Sequence, residues 1–251
     1  MNFMDNIKRR HFVMSLVAAG QAGAQNAGEP GSADPFRPIH DLLSGTAHLT
    51  WVFTGDSITH GALHTMGCRS YPEHFAERVR WELQRRQDVV VNTGISGDRM
   101  SRLLQNQDWR VWRFQPDVVS LMMGMNDCTE GQSGRSAYRS NLETFLKSAE
   151  QHRTKLLLHA PNPILMAADA RRRDLPGYVE QLRAFAREHD LPLIDHYQYW
   201  STVHKPDELV YLLSDGAIHP NQYGHVELAK LMFQKLGIFD PASRTCKLFV
   251  P

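Results

Sequence analysis

The chain of 251 residues has almost no excess charge of either sign and no long apolar run. Its 28 Lys and Arg residues balance 27 Asp and Glu residues, and its basic runs, such as Arg171-Arg172-Arg173, are short. We therefore expect no nucleic-acid partner. A membrane-spanning helix needs about 18 or more consecutive apolar residues, so no integral membrane segment is predicted.

Cysteine is scarce, with only Cys68, Cys128 and Cys246 in the whole chain. An odd number excludes a fully paired intramolecular framework. The wide spacing fits no zinc-binding pattern. One disulfide between Cys68 and Cys128 and three unpaired thiols both remain open at this point.

Several well-known functional motifs are missing. There is no Gly-x-Ser-x-Gly elbow, which removes the main support for an ordinary α/β-hydrolase. Neither a P-loop nor a dinucleotide-binding Gly-x-Gly-x-x-Gly occurs, and there is no His-Glu-x-x-His or EF-hand loop. We therefore expect no cofactor and no metal.

The N-terminus has the order of an export signal. A basic segment, Lys8-Arg9-Arg10, precedes a short apolar stretch at 12–19, and Ala22-Gly23-Ala24 has the small-x-small form of a cleavage site. Arg9-Arg10 also resembles a twin-arginine signal. The prediction is an export signal and linker over 1–38, rich in Gly, Ala and Pro at 25–38, and a periplasmic or extracellular protein. The alternative is a disordered basic tail on a cytoplasmic protein.

The remaining residues, 39–251, are enough for one sizeable α/β domain. Apolar strand-like runs alternate with segments whose apolar residues recur at helical spacing. Strands are predicted at 49–53, 88–91, 116–123, 155–159 and 191–195, and helices from Ser70, at 136–151, at 178–189 and at 223–236. This alternation predicts a mainly parallel sheet covered by helices on both faces, a three-layer α/β/α domain.

Four short blocks hold the residues that acyl transfer requires. In chain order they contain Ser57 in Gly55-Asp56-Ser57, Gly97 in Asn92-Thr93-Gly94-Ile95-Ser96-Gly97-Asp98, Asn126 in Gly124-Met125-Asn126-Asp127, and both Asp215 and His219 in Ser214-Asp215-Gly216-Ala217-Ile218-His219-Pro220-Asn221. Ser57, Gly97 and Asn126 each follow a predicted strand. Ligands of parallel sheets bind beyond the carboxyl ends of the strands, so the four blocks predict one site there.

Each residue type has a definite chemical use. A serine hydroxyl is a poor nucleophile unless a base such as His219 takes its proton, and that base needs an orienting group such as Asp215. Gly97 can bring a bare N–H close to a ligand, and Asn126 can supply a side-chain N–H. The structural alternatives are a helix-capping Ser57, a turn at Gly97 and a cap or turn at Asn126.

These four blocks resemble those of the SGNH hydrolases, also called the GDSL esterase/lipase family, over roughly 49–236. The resemblance implies a flavodoxin-like fold, carboxylic ester hydrolysis without a cofactor, and catalytic roles for Ser57, Gly97, Asn126, Asp215 and His219. The fourth block departs from the family pattern, because Asp215 lies four residues before His219 rather than three. Either its side chain reaches the imidazole through a wider loop, or Asp215 is a cap and a backbone carbonyl orients His219.

Further residues near the blocks are weaker candidates. Asp56 and Asp127 are expected to make structural hydrogen bonds. Asp195 and His196, at a strand end, could reach the site. Candidates for lining the acyl or alcohol pocket, most of them expected to be surface or packing residues, are His60, His64, Asp98, Arg99, Arg102 and Trp109.

The expected substrate is a small-molecule or glycan ester, with an O-acetyl group on a carbohydrate or similar polar alcohol favoured. The export signal, the lack of a long apolar lid segment, and the Trp, Arg and His residues around the second block all favour a polar alcohol. Three alternatives remain. They are a short-chain acyl esterase or lysophospholipase, an acyltransferase, and a catalytically weak carbohydrate-binding protein on the same fold.

Overall fold

A computed structural model describes residues 34–61 and 63–251. The predicted export signal and nearly all of the predicted linker lie outside the described residues. The first helix begins at Arg37, so the predicted linker overlaps its first two residues. Residues 34–251 form one compact unit.

Helices and strands alternate through this unit. In chain order they are α1 (Arg37–Ser44), β1 (Thr50–Gly55), α2 (Ser57–His60), α3 (Tyr71–Glu77), β2 (Val89–Asn92), α4 (Met100–Arg110), β3 (Val118–Met122), α5 (Arg135–Gln151), β4 (Lys155–Ala160), α6 (Leu175–Glu188), β5 (Leu193–Asp195), α7 (His196–Val203) and α8 (Gln222–Lys235). A π-helical turn, Arg78–Glu82, extends α3.

The five strands form one parallel sheet in the order β2-β1-β3-β4-β5. The predicted α/β fold with a parallel sheet is confirmed. Since β1 lies between β2 and β3, the loops that follow these three strands meet at one edge of the sheet. The chain adds β2 on one side of β1 and β3 on the other, which is the topological switch point where α/β proteins place their sites.

The strands are apolar because both of their faces are covered. All five residues of β3 are buried, as are all but the first of β1. The aromatic rings of Trp51 and Phe53 pack against Phe75 of α3, with ring centroids 4.8 and 5.1 Å apart. Burying large aromatic side chains in this way supplies much of the energy of a core.

Helices pack in two groups. α3 contacts α8, while α5 contacts both α4 and α6. The helix predicted from Ser70 is present as α3, and Ser70 and Glu73 form a capping box at its start. α4 was not predicted because only Met100, Leu103 and Arg110 of its eleven residues are buried, which leaves little apolar periodicity.

All three cysteines are free thiols, of which Cys68 is exposed and the other two are buried. The Cys68–Cys128 disulfide, one of the two alternatives, is therefore absent from the structure. Burial raises the pKa of the Cys128 thiol to about 12. Among the residues that the structure describes, no helix is long and apolar enough to cross a membrane.

Candidate active site

Ser57 is the first residue of α2, immediately after β1. The sharp turn between them depends on Gly55, because a Cβ at this position would lie 2.6 Å from the Met122 carbonyl oxygen on β3. The Asp56 carboxylate caps α2 by accepting the Ile58 N–H at 2.9 Å. Ser57 is thereby held at the N-terminus of a helix turn, where its own N–H has no intrahelical acceptor.

Asp56 has the structural role expected of it. Its side chain is fully buried, and this burial raises the pKa of Asp56 to about 7, with the nearby Asp127 adding to the effect. Asp127 accepts the N–H of Met100 at 2.9 Å and so anchors the start of α4. Burial raises the pKa of Asp127 to about 6.

His219 lies opposite Ser57, with its Nε2 2.8 Å from the Ser57 Oγ. The histidine comes from the loop before α8. Asn221 caps that helix by accepting the N–H groups of Tyr223 and Gly224. The loop is closed by a hydrogen bond of 2.8 Å from the Ser214 N–H to the His219 carbonyl. Ser57 and His219, 162 residues apart in sequence, thus have the geometry of a nucleophile and its base.

Asp215 contacts His219 in two ways. Its Oδ2 lies 2.5 Å from the His219 Nδ1. Its Oδ1 accepts the backbone N–H groups of Ala217, Ile218 and His219 at 2.8–3.2 Å. Partial burial alone would raise the pKa of Asp215, but the hydrogen bonds from Ile218, His219 and Ala217 lower it below its usual range. The ionised carboxylate accepts a hydrogen bond from the His219 Nδ1–H group, which leaves Nε2 without a proton and able to accept the serine proton.

The extra residue between Asp215 and His219 is absorbed by a turn. Gly216 adopts a φ of +67°, and the three backbone donors wrap around one carboxylate oxygen. The other oxygen remains available for the imidazole. The structure therefore shows the first alternative, since Asp215 reaches the ring while also capping the loop. Among the described residues, no backbone carbonyl bonds the His219 ring.

Gly97 and Asn126 lie in the loops that follow β2 and β3. Gly97 has a φ of +82°, which favours glycine, and space around it is open, since a Cβ there would contact nothing within 4 Å. Within the described part of the chain, neither the Gly97 N–H nor the Ser57 N–H donates to another group. One hydrogen of the Asn126 amide bonds the Asp98 carbonyl at 3.1 Å, and the second is free to bind a ligand.

Arg110, which was not among the residues predicted for the site, connects these loops. The guanidinium pairs with Asp98 and also donates to the carbonyls of Thr93 at 2.8 Å and Gly55 at 2.5 Å. Both side chains of the ion pair are fully buried. Arg110 therefore ties the Gly-Asp-Ser turn to the Gly97 loop. No sequence pattern marked it, because its partners lie 12 to 55 residues away.

His64 was expected only as one of several pocket-lining candidates. Its ring stacks on that of His219 with centroids 3.6 Å apart and an interplanar angle of 2°. Its Nδ1 lies 3.2 Å from the Ser214 Oγ. Partial burial, and then the adjacent His219, lower the pKa of His64, while Asp215 opposes the shift. His64 therefore covers one face of the candidate base.

The other pocket-lining candidates have varied surroundings. His60 lies 3.1 Å from the Ser96 Oγ through its Nδ1, and Arg99 pairs with Glu130. Arg102 and Trp109 are exposed on α4. None of these four has a hydrogen bond to the Ser57, Asp215 or His219 side chain among the described residues. Asp98, as described above, is a buried ion-pair partner.

The structure does not place Asp195 and His196 at the site. Asp195 caps α7 and pairs with Arg183. His196 is fully buried and lies 3.1 Å from the Nδ1 of His159, whose Nε2 lies 2.9 Å from the Ser120 Oγ. The suggestion that these two residues reach the site was wrong, because the start of α7 turns them toward the core and α6.

One group of residues in the described ranges could hold a metal ion by distance. His64, Asp215 and His219 each offer a ligand atom, and these atoms lie within 4.8 Å of one another. Two of the three already form the short Asp215–His219 hydrogen bond. Ring-nitrogen lone pairs lie in the plane of the imidazole, so the parallel stacked rings of His64 and His219 do not direct theirs at one point. The arrangement suits proton transfer better than metal binding.

Comparisons with known proteins show a matching family and similar folds. A family model described as the GDSL-like Lipase/Acylhydrolase family matches residues 53–226. An uncharacterized protein of Mycoplasma pneumoniae is 29% identical over 150 residues, which amount to 57% of this chain but only 17% of that longer protein. An acetylxylan esterase of Geobacillus stearothermophilus is 27% identical over 208 residues, covering 74% of this chain and 93% of the enzyme.

Among solved structures, an alpha/beta hydrolase enzyme from the metagenome of Lake Arreo, Spain, superimposes with a TM-score of 0.63. The match covers 77% of this chain and 97% of that one, at 22% sequence identity. At this identity the likeness establishes the shared fold alone.

Proposed function

Because this chain belongs to the GDSL-like lipase/acylhydrolase family of carboxylic ester hydrolases, we propose that it cleaves esters through an acyl-enzyme formed on Ser57. The observation that supports this most strongly is the continuous hydrogen-bonded chain from Ser57 Oγ through His219 to Asp215, with distances of 2.8 and 2.5 Å. This arrangement provides a nucleophile, a base and an orienting carboxylate.

In the first half of the reaction, the Ser57 Oγ attacks the ester carbonyl carbon while His219 Nε2 takes the serine proton. The carbonyl oxygen becomes an oxyanion, which the N–H groups of Ser57, Gly97 and Asn126 stabilise. The tetrahedral intermediate then collapses. The C–O bond to the alcohol breaks, and His219 gives its proton to the departing alkoxide, which leaves an acyl-enzyme.

In the second half, water replaces the alcohol. His219 Nε2 takes a proton from the water, whose oxygen attacks the acyl carbon, and the same three donors stabilise the second oxyanion. Collapse of this intermediate returns the proton to Ser57 Oγ and releases the carboxylic acid. Asp215 remains ionised throughout and stabilises the imidazolium that forms in each half.

For the substrate, we propose an O-acetyl group on a carbohydrate. The support is the similarity to an acetylxylan esterase, of which the alignment with this chain covers 93%. The exposed Trp109 and Arg102 on α4 are consistent with a polar, ring-bearing alcohol, since aromatic faces and charged edges suit sugars.

A second candidate is an esterase for acyl groups longer than acetyl, such as a short-chain acyl esterase or a lysophospholipase. Leu63 and Met66, in the loop that carries His64, are 86% and 71% exposed. Both adopt positive φ angles, which nonglycine residues rarely do without a functional or structural reason. An acyl chain that leaves Ser57 along this loop would cover them.

The test compares acetate, butyrate and octanoate esters of p-nitrophenol with acetylated xylo-oligosaccharides. The acetyl-carbohydrate proposal predicts that kcat/KM falls from acetate to octanoate and that acetate is released from the oligosaccharide. A steep rise toward octanoate that Leu63→Ser and Met66→Ser remove would favour the second candidate. The same assays on Ser57→Ala serve as the control for both.

We also propose that the protein is exported. The support is that basic, then apolar, then small residues follow one another over residues 8–24, as in an export signal. Expressing the full chain in a bacterium with a twin-arginine pathway should place esterase activity outside the cytoplasm. Replacing both Arg9 and Arg10 by Lys should keep the esterase activity in the cytoplasm. Activity that stays in the cytoplasm for the unmodified chain would contradict export.

A further inference from the structure

Arg172 contacts the loop after β3, which contains Asn126, from a segment that has no part in the proposed mechanism. It lies in the loop between β4 and α6, at the end of a 3₁₀ turn, Ala170–Arg172. Its Nη2 donates to the Asn126 Oδ1 at 2.9 Å, and its Nε donates to the Met125 carbonyl at 3.0 Å. The Arg172 side chain is 11% exposed, so it is a nearly buried cation directed at one amide.

These contacts determine which way the Asn126 amide faces. The Oδ1 meets the guanidinium, while the Nδ2 donates to the Asp98 carbonyl at 3.1 Å. A flipped amide would place its NH₂ group against the Arg172 donors and its oxygen against the Asp98 carbonyl. Both contacts would then be repulsive. Without Arg172, one of the two restraints on the orientation disappears.

The charge on Arg172 also affects donor strength. A cation bonded to an amide oxygen draws electron density from the amide nitrogen, which makes the N–H a better hydrogen-bond donor. The second Nδ2 hydrogen, the one free to bind the oxyanion, benefits directly. Orientation and polarisation therefore act on the same donor.

Arg172 is itself held in place by a neighbouring acid. Asp169, which is nearly buried, forms an ion pair with the Arg172 Nη1. The same loop is fixed further upstream, where Leu165 N–H donates to the Ala217 carbonyl at 2.9 Å and Asn162 Nδ2 donates to the Ile218 carbonyl at 3.0 Å. One loop thus contacts both the Asn126 side of the site and the segment that carries His219.

We propose that Arg172 is a positioning residue that orients and polarises the Asn126 amide for the oxyanion. This inference rests on the proposed function, because Arg172 can have this role only if Asn126 stabilises an oxyanion. Arg172 itself touches neither Ser57 nor His219 among the contacts of the described chain. Its effect should therefore appear in kcat rather than in substrate binding.

The experiment measures kcat and KM for p-nitrophenyl acetate in Arg172→Gln, Arg172→Lys, Asn126→Ala and the double variant Asn126→Ala/Arg172→Gln. Arg171→Gln is the matched control, because Arg171 also pairs with Asp169 but is 78% exposed and has no bond to Asn126. Circular dichroism and thermal melting establish that each variant is folded. Arg172→Lys keeps the charge and is the variant to use if Arg172→Gln does not fold.

We expect Asn126→Ala to lower kcat by about 10²–10³-fold, the usual effect of losing one oxyanion donor. Arg172→Gln should lower kcat by about 10-fold or more with KM within about twofold, and Arg172→Lys should recover part of the loss. Arg171→Gln should stay within about twofold of wild type. In the Asn126→Ala background, Arg172→Gln should cause no further loss, because both changes act through one donor.

A trifluoromethyl ketone gives a second measurement, since it adds to the serine to form a bound oxyanion. Its inhibition constant should rise in Arg172→Gln by the same factor as kcat/KM falls. The proposal is overturned if Arg172→Gln costs the same factor with and without Asn126, or if it raises KM alone. Should Asn126→Ala and Ser57→Ala both keep full turnover, the proposed function fails instead, so the two failures are distinguishable.

Discussion

Each end of the parallel sheet has a buried arginine–aspartate pair. The two ends differ in whether backbone N–H groups near the pair lack a hydrogen-bond acceptor. At the amino end, Arg85 pairs with Asp88 and donates to the carbonyls of Leu43, Gly45 and Ala47. At the carboxyl end, Arg110 pairs with Asp98 and donates to Thr93 and Gly55, while the N–H groups of Ser57 and Gly97 stay without an acceptor in the described chain.

Cavity size alone would favour the amino end of the sheet. The amino end borders a cavity of about 910 Å³ lined by the segments that precede β1 and β2, including Arg85 and Asp88, and by residues 236–238. The side chains of Ser57, Asp215 and His219 are not among its lining residues. The comparison teaches that donors without acceptors beside Ser57 and His219 support the carboxyl end as the place of the proposed reaction, although the cavity lies at the amino end.

The largest expected effect comes from removing the nucleophile or base. Ser57→Ala and His219→Ala should each lower kcat for p-nitrophenyl acetate by roughly 10⁴–10⁶-fold. Without Ser57 the acyl group has no attachment point, and without His219 the serine proton has no acceptor. Arg85→Met at the amino end is the matched control and should change kcat by less than about threefold. A comparable loss of kcat in folded Arg85→Met would break the distinction between the two ends.

Asp215→Ala should have a smaller effect than His219→Ala, since the carboxylate orients the ring but transfers no proton. We expect a loss of about 10²–10⁴-fold in kcat, with activity still measurable. Asp215→Asn tests the same point with the turn better preserved, because its side-chain oxygen can still accept backbone N–H groups. Loss equal to that of His219→Ala in both variants would contradict this prediction, because His219 would then have no measurable activity without the carboxylate even when the turn is kept.

Arg110→Met should lower both stability and activity, whereas Arg85→Met should lower stability alone. Removing one partner of a buried ion pair leaves the other charge unpaired and typically costs about 3–5 kcal/mol in the free energy of unfolding. Urea unfolding measures this, and assays below the transition measure kcat. Wild-type kcat in Arg110→Met would show that the Gly97 loop does not need this anchor.

Acid should destabilise the protein through buried neutral histidines. Burial lowers the pKa of His159 and His225 to about 3 and that of His74 to about 4. Below pH 6.5 the unfolded chain therefore binds protons that the folded chain does not, and the free energy of unfolding falls as pH decreases toward 4. Each histidine contributes up to about 1.4 kcal/mol per pH unit.

Two carboxyls oppose this trend. The raised pKa values of Asp56 and Asp127 mean that the folded chain binds their protons first, which favours folding as pH falls toward 4. The histidines outnumber them, so urea titrations between pH 6.5 and 4.5 should show a net loss of stability. His74→Leu, which removes one of these buried rings, should reduce the slope. A flat wild-type profile would contradict the account.

The sequence was sufficient to predict the five strands and which loops meet at the candidate site. Strands such as β1 and β3 are buried on both faces, so their residues are uniformly apolar, and the blocks that follow them contain Ser57 and Asn126. The confirmed parallel sheet then requires those loops to meet. The family prediction is confirmed by the match over residues 53–226.

What the sequence could not supply were contacts between distant polar side chains. Arg110 and Arg172 look like ordinary surface arginines in the sequence, and only the fold brings them to Asp98 and Asn126. The stacking of His64 on His219 depends in the same way on the course of one loop. Whether Asp215 reached the imidazole depended on a single turn at Gly216, which spacing alone could not define.

The central claim is that Ser57 is the residue that becomes acylated. The most direct measurement is mass spectrometry of the folded protein after treatment with a fluorophosphonate, beside Ser57→Ala treated identically. The account predicts one adduct, on the peptide that contains Ser57, with esterase turnover lost in proportion to labelling and no adduct in Ser57→Ala. An unlabelled wild type, or an adduct on another residue with turnover intact, would contradict it.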